Sequence, residues 1–427
     1  MKSRKSRGRN QNPQLPSHII ETIISKLSVS VLLNLRRVCK AWNNIILTGK
    51  LLHLNSKANL FAHIPPHQML HCIDFDSKTL KEKKINCIVG SFTFHPHFST
   101  FKIINSCNGL LCFVNSKIMS KEHEKIGFEL TQPFAIILSP ITNEYVELPL
   151  NDAWKKTFYT GYSFGFGYSP NKKQYKIVKL SSIRRGLYVA DIFTIGTFTR
   201  GSYGKWSRVP ILIRFCVLGS GDGVYLNGSL YWNGYNGNYL DMRNGGKVVL
   251  LRFDVEDEKF EVVSFPHGVE DEVFRGSSNI WIFNNTLYLS CFDFNTNNGI
   301  GRFHVWKLME EGYSWFKLEQ EFVIRQPISN HWSTVALLHY IRYLKYRGYY
   351  DFSSSCTRYH FQLIKVFEDE KMLFLISRKA LILYDSKTEQ FEVTYNDLNQ
   401  DQDGKLWIYD IDYSLNVDSL PKTLGVN

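Results

Sequence analysis

Several groups of residues have the types that chemistry requires. Gly161, Gly165 and Gly167 are closely spaced glycines of the kind a phosphate-cradling loop could use. They run into a strand pattern at Tyr175-Lys176-Ile177-Val178, whereas a cradle needs the free N–H groups at the start of a helix. Turn and close-packing glycines are expected instead. Gly219, Gly221 and Gly223 read likewise as a flexible lead-in to a strand. His95-Pro96-His97 offers two donors, but no Cys, His or Glu stands at a helpful helical spacing, so no metal site is expected. Glu256, Asp257 and Glu258 are consecutive, which suits a solvated hairpin tip; hydrolytic carboxylate pairs flank a bond from two sides. Asn227-Gly228-Ser229 and Asn284-Asn285-Thr286 match glycosylation acceptors, which matter only in a secreted chain. No nucleophile, base and orienting residue can be grouped, so the expectation is no catalytic residue, no cofactor and no metal.

The bulk properties limit the alternatives further. The eight cysteines (39, 72, 87, 107, 112, 216, 291 and 356) are scattered, mostly in apolar runs, without paired CxxC spacing. That predicts buried, reduced thiols rather than a disulfide frame or zinc site. No apolar run approaches the length of a spanning helix, and MKSRKSRGRN is charged with no apolar stretch behind it, so the sequence predicts neither membrane insertion nor secretion. Of the formal net charge of +12, Lys2, Arg4, Lys5, Arg7 and Arg9 supply a large share within residues 1–13. This tail is expected to be disordered, as a nuclear-import signal, a weak nucleic-acid arm or a plain solvated tail. His339 to Arg347 interleaves cations with tyrosines, as single-strand binders do. Its neighbours carry no binding-module motif, so it reads as a loop or edge insertion and argues against nucleic acid as a partner.

Two regions must position whatever sites exist. In residues 14–55, Pro16 suits a first helical turn and Ser17 can accept a bond from an orphan N–H. Ile19, Ile20, Ile23, Ile24 and Leu27 then form one broad helical face. Ser28-Val29-Ser30 breaks the pattern, and Val31, Leu32, Leu35, Val38, Cys39 and Trp42 begin a second face. A unit of about thirty-five residues cannot bury so many large apolar groups against itself, so part of the stripe awaits a partner.

From residue 60 to about 420 the helical period gives way to short apolar runs between Gly, Asn, Asp and Ser clusters, an all-β signature. Four hairpins share a turn-forming Ser or Asp followed six positions on by an aromatic: Ser139 and Tyr145, Ser169 and Tyr175, Asp254 and Phe260, Asp385 and Phe391. The polar residue is expected to fold back on its own backbone and the aromatic to anchor the return strand in the core. Asn108-Gly109, Asn227-Gly228 and Asn284-Asn285 predict tight primed turns. Lys205 to Pro210 is echoed by Ser314 to Leu318. The intervals from Ser139 to Asp254 and from there to Asp385 are each near three times ~40 residues, the length of a four-stranded blade. The expected fold is a small all-α module followed by a large all-β domain, a degenerate β-propeller of about six blades. The strand Lys405 to Tyr409 would close the ring beside the strands of residues 70–90. A pair of two-sheet β-sandwiches is the second architecture.

Leu15-Pro16, Lys26-Leu27 and Val38-Cys39-Lys40-Ala41-Trp42 resemble the F-box, with Ser28 where that family usually has Pro. Ser106 to Cys112, Ser139 to Glu144 with Leu148-Pro149, Gly165 to Pro170 with Tyr175 to Val178, and Val224 to Trp232 resemble the plant F-box-associated, kelch-like interaction domain. The resemblance covers most of the chain, least over residues 325–365. It implies a substrate-recognition subunit of a Skp–cullin–F-box ubiquitin ligase, in cytoplasm or nucleus and without catalysis of its own. The F-box would bind the Skp adaptor, and through it cullin, by Leu15, Pro16, Ile20, Ile24, Leu27, Leu32, Leu35, Val38 and Trp42, while the β domain holds an unknown target protein. The alternative is a stand-alone propeller, glycan-binding or enzymatic, with a helical appendage.

Overall fold

The computed structural model describes residues 15–24, 27, 31, 35–47, 59–64, 69–73, 87–88, 101–115, 133–139, 144–149, 162–184, 187–199, 202–211, 213, 215–217, 222–236, 248–265, 278–283, 285–295, 300–309, 314–317, 322–325, 361–366, 371–376, 380–385, 387–388, 390–396 and 407–411. Among the described residues, two helices are defined along their length, α1 (Ser17–Ile24) and α2 (Lys40–Leu47); Val31 and Leu35 between them are also helical, and a region built of strands follows. The basic tail, Ser28, Leu32, His95, His97, the 339–347 patch, Lys405 and Leu406 lie outside the described residues.

The strands form six antiparallel sheets among the described residues. Blade 2 runs Phe101–Cys107, Leu110–Asn115, Pro133–Ser139, Glu144–Pro149 from axis to rim, and blade 3 runs Tyr162–Ser169, Gln174–Arg184, Leu187–Thr199, Ser202–Ile211. Blades 4, 5 and 6 begin at Phe215, Ser278 and Phe361. Blade 1 is composite: Asn59–Ile64, Met69–Ile73 and Cys87–Ile88 are joined at the axis by Trp407–Ile411 from the far end of the chain, with Asn59 opposite Ile411. Each innermost strand neighbours the innermost strand of the next blade, from 101–107 round to 407–411. The ring is closed, as a propeller requires, and no pair of sandwiched sheets is present among the described residues. One expectation is corrected here. The closing strand lies beside 59–64, not beside 70–90, because the chain's first strand fills the second position of the blade.

The turns follow local chemistry. Asn108 and Gly109 have φ of 50° and 76°, and Asn227 and Gly228 have 45° and 80°, the left-handed pair that a two-residue primed turn demands. Asn285 also has positive φ, at 53°. Asp254 Oδ1 accepts from the N–H groups of Glu256 and Asp257, and Asp385 Oδ1 accepts from those of Lys387 and Thr388. Two members of the series differ. The hydroxyl of Ser169 donates across to the Glu256 carboxylate of blade 4. Tyr145 stands 44% exposed, because it lies on the rim strand of blade 2, beyond the packed faces; Tyr175, on a second strand, is buried as expected.

The core lies between blades. Cys112, Val114, Phe134 and Ile137 of blade 2 pack on Phe164, Phe166, Ile177 and Phe193 of blade 3. The other face of blade 3, with Val178, Leu180 and Ile192, packs on Leu230, Trp232 and Leu251 of blade 4. The echoed tryptophans have matching roles on rim strands. Trp206 of blade 3 lies on Phe134 of blade 2, at 5.0 Å between centroids, and Trp315 Nε1 of blade 5 donates to Ser264 O of blade 4 at 2.9 Å. Cys107 and Cys112 are buried free thiols, and burial raises the pKa of both well above the ordinary thiol range.

Candidate functional site

The helical module divides its apolar residues by position around α1. The Pro16 carbonyl accepts from the N–H groups of Ile19 and Ile20 at 3.0 and 3.2 Å, so Pro16 stands one place before the helix and Ser17 begins it. Leu15, Ile19 and Ile23 form one row at i, i+4, i+8, and Ile20 and Ile24 form the next row. The first row faces out: Leu15 is 58% and Ile23 47% exposed. The second turns inward, with Ile24 fully buried and Ile20 half-buried. Beyond α1, Leu27, Leu35 and Trp42 are half-buried, while Val38 is 61% exposed. The turn before α2 is held by Val38 N–H to Leu35 O at 3.0 Å and Trp42 N–H to Cys39 Sγ at 3.5 Å.

Of the nine candidate docking residues, Leu15, Pro16 and Val38 are therefore surface groups, Ile24 is core, and Ile20, Leu27, Leu35 and Trp42 lie between the two. Leu32 is outside the described residues. Ile19, Ile23 and Val31 are exposed apolar groups that the candidate set omitted. Their signal was the same spacing, since both rows of α1 are apolar and only packing shows which one turns outward.

Around the propeller axis the side chains join blades 2, 3 and 4. Lys102, on the innermost strand of blade 2, pairs with Asp222 of blade 4 at 2.9 Å and lies over the Phe164 ring of blade 3 at 5.9 Å. Asp222 Oδ1 also accepts from Phe164 N–H at 3.0 Å, while Gly223 N–H and Trp232 Nε1 donate to Phe164 O. The innermost strand of blade 4 is split into Phe215–Val217 and Val224–Leu226, both paired with Ser229–Asn236. Asp222 and Gly223 immediately precede the second of these halves. Gly223 is thus a close-packing residue and not a loose lead-in: a Cβ there would come within 2.6 Å of the Trp232 indole, and one at Gly165 within 2.7 Å of the same ring.

At the tight turns, Lys176 Nζ donates to Val255 O at 2.6 Å and pairs with Glu258 at 2.8 Å. Glu256 receives Ser169 and Lys172. These carboxylates serve the seam between blades 3 and 4. Across blade 3, Lys179, Asp191 and Arg208 stand opposite one another on adjacent strands, with Arg208 bidentate on Asp191. Burial lowers the Lys179 pKa to about 8, against the opposing pull of Asp191. Among the described residues no group of three or more His, Cys, Asp or Glu converges as metal ligands would, and no helix is long and apolar enough to cross a membrane.

Comparison with known proteins gives this arrangement a family. Residues 59–338 match the F-box associated beta propeller domain, and residues 13–54 match the F-box domain. The chain belongs to the F-box proteins with an F-box associated propeller. Relatives include the Arabidopsis thaliana F-box protein At3g07870, 26% identical over 59% of this chain and 60% of that one. F-box protein DOR from the same plant is 24% identical over 73% of this chain and 75% of its own length. Alignments to At3g07870, At1g53550 and At1g46984 span 60%, 58% and 63% of those relatives. Among solved structures, Kuenenia stuttgartiensis hydrazine synthase overlays 84% of the chain at 9% identity with a TM-score of 0.39, too slight a likeness to bear on function.

Proposed function

We propose that this F-box protein is the substrate-recognition subunit of a Skp–cullin–F-box ubiquitin ligase, binding the Skp adaptor through the helical module and a target protein through the propeller. The observation that carries the reading is the outward apolar row Leu15, Ile19 and Ile23, with Val31 and Val38 exposed as well, on the module that matches the F-box. Exposed large apolar groups grouped on a unit this small cost solvation until a partner covers them. Cullin is reached through the adaptor. The ubiquitin chemistry belongs to the other subunits, the chain acts in cytoplasm or nucleus, and the modules run over residues 14–55 and a kelch-like 60–420. The described polar clusters support a non-catalytic role, since Lys102–Asp222 and Lys176–Glu258 are each engaged in joining blades.

The test is co-purification of the full chain with a Skp adaptor. Stoichiometric binding by the unaltered chain, lost on joint Leu15→Ala and Pro16→Ala substitution, is expected. Equal recovery of adaptor by both chains refutes the assignment.

A further inference from the structure

The helical module carries almost only positive charge. Residues 14–55 hold Lys26, Arg36, Arg37, Lys40 and Lys50 but a single acidic residue, Glu21. Glu21 lies two positions from both Ile19 and Ile23, about 160° around α1 from each, so the outward row of that helix has no carboxylate of its own beside it. Arg37 and Lys40 are exposed and flank Val38, itself 61% exposed. Cys39 and Ala41, exposed beside them, bring no acid either.

In the propeller, exposed lysines stand near carboxylates: Lys172 is 3.7 Å from Glu256, and Lys259 is 3.7 Å from Asp257. Arg37 and Lys40 have no such ion pair among the described residues. Arg36 differs from them, being half-buried with its Nε donating to Asn43 Oδ1 at 3.0 Å. Like charges left unpaired on one surface repel each other until an opposite charge meets them. A phosphate backbone would satisfy the charges but would not cover Val38 or the α1 row. A protein surface with an apolar centre and carboxylates around it does both.

We infer that the module is built to receive an acidic protein surface, with Arg37 and Lys40 as the cations that meet its carboxylates around Val38. The inference rests on the adaptor-docking reading and adds the adaptor's chemistry to it. Apolar contact supplies the affinity, and the cations supply speed of encounter and orientation.

The experiment measures association and dissociation rates of the full chain with a purified Skp adaptor between about 0.05 and 0.5 M salt, where the screening length falls about threefold. Association of the unaltered chain is expected to slow steeply as salt rises. Joint Arg37→Glu and Lys40→Glu should slow association about ten- to a hundredfold at low salt, the scale of electrostatic steering, and the difference should close at high salt. Val38→Ala should instead speed dissociation and keep the parent's salt dependence. Joint Lys173→Glu and Lys205→Glu, which reverses two exposed propeller cations, should leave association within about twofold of the parent. An equal effect at either place would reduce the result to net charge and overturn the inference.

Association that ignores salt, or that survives the Arg37 and Lys40 reversal unchanged, overturns the acidic surface while leaving the docking reading intact. Failure of the unaltered chain to bind adaptor at any salt overturns both. A DNA duplex of random sequence, run beside the adaptor, decides the other polyanion. Binding to it that the Arg37 and Lys40 reversal abolishes, with adaptor rates unmoved, assigns the cations to nucleic acid and overturns the inference.

Discussion

The side chain of Asn105 bonds both backbone groups of Phe166 in the next blade: Nδ2 donates to the carbonyl at 2.7 Å, and the Phe166 N–H donates to Oδ1 at 2.8 Å. An innermost strand has no further strand on its axial side, so its polar groups need another source of partners. Asn105 supplies them as a neighbouring strand would, and Asp222, Gly223 and Trp232 do the same for Phe164. Sealing the strand edge and joining the blades are one act.

Replacing Asn105 by Ala therefore leaves a buried donor and a buried acceptor without their partners. Each orphaned group costs about 1–3 kcal/mol, so a fall of about 2–6 kcal/mol in urea-unfolding free energy is expected. Asn105→Asp separates the two bonds, because a carboxylate accepts from Phe166 N–H but sets an oxygen against its carbonyl. It should be destabilising at neutral pH. Unfolding curves for Asn105→Asp that overlay the parent would show that the pair does not join the blades.

Trp232 is pinned between Gly165 and Gly223. Gly165→Ala forces a methyl against indole carbon in a packed core, and overpacking of this kind costs about 1–3 kcal/mol. The loss should shrink when Trp232 is replaced by Leu in the same chain, which vacates the space. Additive losses in the double variant would mean that the glycine is required for some other reason.

What the sequence disclosed and withheld follows the range of the interactions. Asn-Gly turns are written in adjacent residues, and the left-handed pairs at 108–109 and 227–228 appear where expected. Hairpin spacing pointed to about six blades without fixing their number, and short motifs carried the family resemblance. Asn105 and Lys176 carry no local mark of their roles, because their partners Phe166 and Val255 lie 61 and 79 residues away. Ser169 likewise reaches beyond its own hairpin, its hydroxyl donating to a glutamate of the next blade 87 residues away. On α1 the pattern predicted one broad apolar face, and which of its two rows turns inward depends on what the helix packs against.

Lys179 predicts a pH effect. Its folded pKa of about 8 lies below the ordinary lysine value, so between pH 8 and about 10.4 the unfolded chain binds more protons than the folded one. Stability contributed by this site rises with pH across that window. Burial also raises the pKa of Cys107 and Cys112, which acts in the opposite sense as unfolded thiols ionise. The informative quantity is therefore the difference between the parent and Lys179→Met. Urea midpoints from pH 7 to 10 should show the parent gaining on the variant as pH rises; a constant gap would place Lys179 in contact with water.

Ring closure by Trp407–Ile411 predicts that a chain ending before Trp407 exposes the edge of Asn59–Ile64 and one face of each flanking blade. Open sheet edges pair with other chains. Size-exclusion chromatography should show aggregation or a loss of cooperative melting. A monomer that melts as sharply as the parent would mean the ring needs no closing strand.

The two rows of α1 give the sharpest division between binding and folding. Ile23 is an exposed member of the outward row and Ile24 a buried member of the inward one, so adjacent residues should fail in different assays. Ile24→Ala should destabilise the module by about 2–5 kcal/mol, the range for truncating a buried aliphatic group. Ile23→Glu should leave the thermal midpoint within about 1 °C, since surface changes are usually within ±0.5 kcal/mol. It should still weaken adaptor binding at least tenfold, because about 1.4 kcal/mol suffices for that and a buried unpaired carboxylate costs more. Val38→Glu should behave like Ile23→Glu. If Ile23→Glu and Val38→Glu bind adaptor as tightly as the parent while Ile24→Ala unfolds, the outward row is ordinary surface and the adaptor must dock elsewhere on the module.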